Sequence, residues 1–118
     1  MDAAQKIAVV DKYLAAFESQ SLDLIREIYA DSAFVEDPVG GNVYEGIDAI
    51  LGFYKTGFGI GAKLSLLGKP RCAGNCVAFP FKVVAGKMTI EVIDVFEFDD
   101  AGKVVSMKAY WGPENISC

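Results

Sequence analysis

The stretch Met88-Thr89-Ile90-Glu91-Val92-Ile93-Asp94-Val95-Phe96-Glu97-Phe98 decides the fold and points to the chemistry. Its β-branched and aromatic residues read as a strand. Side chains alternate along a strand, so Met88, Ile90, Val92, Asp94, Phe96 and Phe98 share one face. Thr89, Glu91, Ile93, Val95 and Glu97 share the other. The first face is apolar throughout except for Asp94 in its middle. Burial in a low dielectric penalises the charged carboxylate, so its pKa should rise, and the protonated acid can then donate a hydrogen bond. The alternative for Asp94 is a structural acid, capping a turn or paired with a lysine.

Working outward, Cys76–Val84 and Val104–Trp111 are also strand-like, as is the shorter Lys63–Lys69. Gly74-Asn75, Ala85-Gly86 and Asp99-Asp100-Ala101-Gly102 join them, which is hairpin chemistry and implies antiparallel pairing. The first half of the chain is helical instead. Over residues 3–18, Ile7, Val10, Leu14 and Phe17 recur at helical spacing, with Lys6, Asp11 and Lys12 elsewhere on the wheel and Tyr13 bordering the stripe. A short helix starts at Ser21, an N-cap residue, and reaches Tyr29. A third spans Ile47 to Lys55 with Gly57 as its stop. Between the last two lies a short strand, Ala33–Asp37, closed by Pro38 and Gly40-Gly41. Three helices ahead of a curved antiparallel sheet is an α+β layout in which the helices cover one sheet face. Ile93, Val95, Val104 and Tyr110 make the opposite face unusually apolar, which points to a dimer interface.

Composition narrows the chemistry. At 118 residues the expectation is one domain, residues 1–118. A net charge of −5 disfavours nucleic acid and anionic membrane as partners. There is no histidine, which excludes Ser-His-Asp and Cys-His catalysis, histidine-ligated zinc and imidazole proton transfer. Acid–base work falls to carboxylates, tyrosines or lysines. Three cysteines, Cys72, Cys76 and Cys118, form no metal-binding pattern and suit a reducing compartment. Cys72 and Cys76 flank a turn and could face each other across a hairpin, but small buried or half-buried thiols are the stronger reading. With no signal-peptide pattern and no apolar run approaching the roughly 18 residues of a membrane span, a cytoplasmic protein is expected.

Several residues stand beside Asp94 as candidates. Asp37 is in phase with Ala33 and Val35, and an ionised aspartate at the mouth of an apolar cavity is a reasonable base for a weakly acidic C–H. The competing reading is an Asp-Pro pair opening a turn. Tyr13, Tyr29 and Tyr54 each fall on or beside the inner stripe of a different helix, where their hydroxyls can satisfy one another and leave a donor for a ligand. Trp111 shares a face with Val105, Met107 and Ala109, as cavity wall or as plain core. Gly57-Phe58-Gly59-Ile60-Gly61 lacks the context of a phosphate loop and reads as an apolar pocket lip. Asp99-Asp100-Ala101-Gly102 lacks calcium-ligand spacing.

Across nearly the whole chain the sequence resembles the bacterial Δ5-3-ketosteroid isomerases, small dimeric enzymes of the cone-shaped NTF2-like fold. The likeness rests on Asp11-Lys12-Tyr13, Tyr29-Ala30-Asp31, Val35-Glu36-Asp37-Pro38-Val39-Gly40, Phe53-Tyr54, Phe79-Pro80-Phe81, Val92-Ile93-Asp94-Val95 and Met107-Lys108-Ala109-Tyr110-Trp111. The resemblance implies that Asp37 moves a proton from C4 to C6 of a 3-oxo-Δ5-steroid. It implies that Tyr13 and Asp94 hold the dienolate oxygen, with Tyr29 and Tyr54 behind Tyr13. A carboxylic acid kept neutral so that it can donate is the known device of these enzymes, and that role for Asp94 comes from the likeness. Trp111, Phe81, Met107, Val39 and Met88 become pocket positions, with Phe58 and Ile60 among those expected to vary. No cofactor or metal is implied, and the partners are a small hydrophobic steroid and a second copy of the chain. A non-catalytic steroid or lipid binder and a polyketide-cyclase-like enzyme of the same fold are the alternatives.

Overall fold

The helices form where their caps and apolar stripes demand. In this computed structural model, which describes residues 1–118, α1 spans Ala3–Ser19. Its N-terminus is a capping box: the Asp2 carboxylate accepts from the Gln5 N–H and the Gln5 side-chain oxygen accepts from the Asp2 N–H, both at 2.8 Å. The buried face of α1 runs through Lys6, Val10, Tyr13, Ala16 and Phe17. It is therefore rotated from the expected stripe, with Tyr13 at its centre and Leu14 at its flank. Lys6 turns inward because its ammonium donates to the Gly74 carbonyl at 2.5 Å while its stem covers apolar surface.

Helix α2, Leu22–Ile28, begins at Ser21, whose hydroxyl accepts from the Leu24 N–H. It ends one residue earlier than expected, because Tyr29 takes extended backbone (φ −95°, ψ 143°) and starts strand β1, Tyr29–Glu36. After the short strand β2, Val43–Glu45, helix α3 covers Ile47–Gly59 and runs through Gly57 rather than stopping there. It terminates at Gly59 with Ile60 as C-cap, and Gly61 next to it adopts a left-handed φ of +75° that a side chain would oppose. A β-carbon at Gly57 would stand 3.9 Å from Phe17, an ordinary contact, so space does not require glycine there.

The remaining strands are β3 (Lys63–Leu66), β4 (Arg71–Ala73), β5 (Cys76–Ala85), β6 (Met88–Phe98), β7 (Val104–Tyr110) and β8 (Ile116–Ser117). They build one sheet in the order β2-β1-β7-β6-β5-β3, with β4 also on β5 and β8 also on β6. Pairing is antiparallel as the hairpin turns predict, except at one seam: β1 lies parallel to β7. That seam joins the helical half to the meander, and local turn chemistry carries no signal for so distant a pairing.

Alternation along β6 follows the expected register. Val92, Asp94, Phe96 and Phe98 are buried, whereas Glu91, Ile93 and Glu97 are exposed. On β7 the register shifts between the Glu97–Ser106 and Phe98–Val104 pairs, so Val105 is the extra residue of a bulge. Val104 consequently faces inward and is fully buried, correcting its expected place on the outer face. Ile93, Val95 and Tyr110 keep their expected outer face, where Pro80, Ile93 and Tyr110 pair in register across three strands with Leu67 close by. Cys72 and Cys76 are half-buried free thiols, the stronger of the two readings, and do not face each other. Cys72 pairs with Val77 and Ala73 with Cys76, so the two thiols point to opposite faces of the β4–β5 hairpin and cannot bond across it.

One cluster of 22 buried residues fills the space between helices and sheet. No helix is long and apolar enough to cross a membrane.

Candidate active site

The helices do not seal the concave sheet face completely. A cavity of about 600 Å³ opens between α3 and the strands, lined by 19 residues of which 14 are hydrophobic. That size and apolar character suit one compact hydrophobic ligand. Its floor holds Tyr13 and Asp94, Phe81 and Val92 form wall, and Asp37 and Trp111 stand half-buried nearer the mouth.

Asp94 sits where its strand register puts it, opposite Phe79 on β5 and Ala109 on β7, both fully buried. It is itself 1% exposed, and neither carboxyl oxygen has a hydrogen-bond partner. The structural alternative of a lysine partner or a capped turn is therefore ruled out. Burial drives its pKa well above the ordinary carboxyl range, and the charge of Asp37 adds to the rise. Tyr13 lies close enough to oppose this slightly without making a well-formed hydrogen bond to it. The group is a neutral acid with an unspent donor.

The tyrosines form a chain. Tyr29 shares a hydrogen bond with Tyr54 at 2.5 Å, and Tyr54 shares one with Tyr13 at 3.0 Å. Each comes from a different element: α1 for Tyr13, the first residue of β1 for Tyr29, and α3 for Tyr54. Burial raises all three phenol pKa values well above normal, so each remains a neutral hydroxyl. Three hydroxyls joined by two hydrogen bonds leave one proton over. If Tyr29 donates to Tyr54 and Tyr54 to Tyr13, the spare proton is on Tyr13, at the cavity floor beside Asp94. Phe17, Phe79 and Phe96 pack edge-on against the Tyr13 ring at centroid distances of 5.3, 5.9 and 5.2 Å and fix its direction.

Asp37 projects from the end of β1 into the same cavity. Its backbone N–H donates to the Asn42 carbonyl, and the Val39 N–H donates to Ala109, which ties the turn to β7. The neighbouring Glu36 carboxylate turns away and accepts from the Gly40 N–H at 2.9 Å. The Trp111 indole N–H donates to Asp37 Oδ1 at 2.7 Å, leaving Oδ2 without a protein donor. Desolvation raises the Asp37 pKa and the indole hydrogen bond opposes that rise. A carboxylate near the mouth, oriented on one oxygen and free on the other, is arranged to take a proton.

Asp37, Tyr13, Asp94, Tyr54, Trp111 and Phe81 thus converge on one cavity, with Tyr29 directly behind it. Three expected pocket residues do not. Met107 pairs with Phe96 and is fully buried in the core outside the cavity lining. Val39 follows the turn and is 41% exposed. Met88 lies at the β5–β6 hairpin opposite Ala85, beyond the reach of the lining. Of the expected lip, Gly57 and Ile60 line the cavity, whereas Phe58 turns inward against Phe17. Sequence reading missed Tyr44, Phe53, Ala49, Gly52 and Thr56 as lining residues. Only α3's orientation, which periodicity does not encode, brings its flank to the mouth.

Comparison with known proteins agrees with this geometry. The SnoaL-like domain model matches residues 10–107. A steroid Delta-isomerase of Nocardioides simplex is 38% identical, over 97% of this chain and 95% of that protein. The epoxide hydrolase/cyclase-like enzyme SalBIII, studied for pyran ring formation in the polyether salinomycin, superposes with a TM-score of 0.92. It is 25% identical, and the match covers 98% of this chain and 97% of that one. The fold and site define an NTF2-like α+β cone with an acidic, apolar pocket; the chain belongs to the SnoaL-like family. Within that family it is a homologue of steroid Delta-isomerase.

Two measurements test the electrostatics. The unfolded chain releases the Asp94 proton near pH 4, whereas the native chain retains it, so stability is lost as pH rises above that value. One retained proton gives a slope of about 1.4 kcal/mol per pH unit. Thermal melts of wild type from pH 4.5 upward will show this decline, and Asp94→Asn will flatten it. Trp111→Phe removes the indole donor, so the Asp37 carboxyl, followed by carbon NMR, will titrate at higher pH than in wild type.

Proposed function

We propose that this protein is a steroid Δ-isomerase that converts 3-oxo-Δ5-steroids to 3-oxo-Δ4-steroids. The observation that carries the reading is a buried, unpartnered carboxylic acid at Asp94. It shares an apolar cavity with the Tyr13 hydroxyl, the end of the tyrosine chain, and with a carboxylate at Asp37. The homology to a steroid Delta-isomerase supports the same chemistry.

In this reading the substrate's C3 carbonyl oxygen sits on the cavity floor between Tyr13 and Asp94. Asp37 Oδ2 removes a proton from C4, the C4–H electrons move toward the carbonyl, and a dienolate forms. The oxygen then carries negative charge, which two neutral donors stabilise without reorganising. Preorganised donors of this kind contribute about 10²–10³-fold each. The protonated Asp37 returns the same proton to C6, the C5=C6 bond shifts to C4=C5, and the carboxylate is restored. One positioned base contributes roughly 10²–10⁴-fold more. An apolar wall excludes water, which strengthens both effects and keeps the proton with Asp37 between the two transfers.

The likeness to SalBIII supports a second use of the same pair, ring closure on an epoxide. There Asp37 would take the proton of the attacking hydroxyl as the new C–O bond forms. Asp94 would protonate the oxygen released from the epoxide. Isomerisation is favoured, because the isomerase homologue is more similar in sequence than the cyclase-like neighbour, 38% against 25%.

We further propose that the outer sheet patch of Pro80, Ile93 and Tyr110 packs against a second copy. Ile93 is 47% and Tyr110 48% exposed, an unusual amount of large apolar surface for one small sheet face.

Incubation with 5-androstene-3,17-dione will produce the ultraviolet absorbance of the conjugated enone, and Asp37→Asn will abolish turnover by several orders of magnitude while retaining steroid binding. Wild-type turnover in that variant would remove Asp37 as the base, and no enone from wild type would leave a binder or a cyclase. In sedimentation experiments Ile93→Glu will convert a dimer to a monomer.

A further inference from the structure

Helix α3 presents an uneven wall to the cavity. Ala49, Gly52, Thr56 and Ile60 follow one another at helical spacing along its flank; all four line the cavity and all are solvent-exposed, so they form the rim. The floor is the opposite end, where Asp94 is 1% exposed with both oxygens unpartnered and aimed into the same space. A ligand anchored at the floor by a carbonyl must therefore carry its remote end past this rim.

Gly52 is the gap in that rim. It lies within α3, where glycine costs about 1 kcal/mol of helix stability relative to alanine. No left-handed backbone requires it, since its φ is not positive. No packing requires it either: a β-carbon there would meet nothing within 4 Å. Neither fold nor backbone explains the glycine. What its missing side chain leaves is room at the cavity mouth.

We propose that Gly52 is a specificity-determining residue that admits a substituent on the end of the substrate remote from its carbonyl. This rests on the steroid reading given above. The substrate class it names is 3-oxo-steroids bearing a carbon side chain at C17, in addition to those with only a 17-oxo group. A leucine at this position would direct its side chain back toward the preceding turn, over Ala49, and narrow the rim. The floor groups Tyr13, Asp94 and Asp37 would be untouched, so the change acts on the far end of the ligand alone.

The test compares wild type, Gly52→Ala and Gly52→Leu in binding 4-androstene-3,17-dione and 4-pregnene-3,20-dione. Quenching of Trp111, the single tryptophan, reports occupancy. Gly52→Leu should weaken the pregnene ligand at least about tenfold more than the androstene ligand, with Gly52→Ala intermediate. The melting temperature should be unchanged or higher, because both replacements favour helix. Equal losses for the two steroids, or no loss for either, would overturn the proposal. Selective loss without enone formation by wild type would uphold the rim and remove the isomerase reading. Enone formation without selective loss would do the reverse, and failure of wild type to bind either steroid would overturn both.

Discussion

The arrangement of this protein depends on one unfavourable placement: a carboxyl group buried without a partner in the apolar face of β6. Leaving a neutral polar group unsatisfied costs about 1–3 kcal/mol, and leaving it charged would cost far more. Asp94 therefore keeps its proton, and a cluster of 22 buried residues offsets the penalty. Replacing it by an apolar residue of similar size would suit the core better. Both of its oxygens are left unpartnered at the cavity, where a bound acceptor could take up the hydrogen bond.

The rest of the site follows from holding that donor among apolar walls. The tyrosine chain brings a second neutral hydroxyl, Tyr13, to the floor while the three phenols meet their hydrogen-bonding needs among themselves, which spares the cavity further polar groups. Asp37 has the opposite assignment. It is only half-buried and accepts an indole hydrogen bond, so its pKa rises less than that of Asp94. Two carboxyls with the same intrinsic acidity are thus driven apart by depth and by one donor, and the pair can act as acid and base together.

Much of this was legible in the chain. Period-two alternation in Met88–Phe98 marked Asp94 because a strand offers only two directions, and the hairpins closed on their glycine turns. Phase along Ala33–Val35 likewise turned Asp37 toward the interior. Helical stripes were read less sharply. A stripe shifted by one residue still looks amphipathic, so in α1 periodicity alone does not separate a face through Leu14 from one centred on Tyr13. The bulge at Val105 was invisible for a related reason: one extra residue reverses the faces around it without changing composition.

Sequence by itself determined the element types, the face on which each acid lies and the exclusion of histidine chemistry, because these depend on local periodicity and on which atoms are present. Tertiary structure alone decided the parallel seam between β1 and β7, the depth that separates the two aspartates, and the side of α3 that borders the cavity. It also separated residues that line the cavity from residues such as Met107 that are merely buried beside it. These are relations between segments far apart along the chain. They are set by how whole faces pack, and no window of neighbouring residues encodes them.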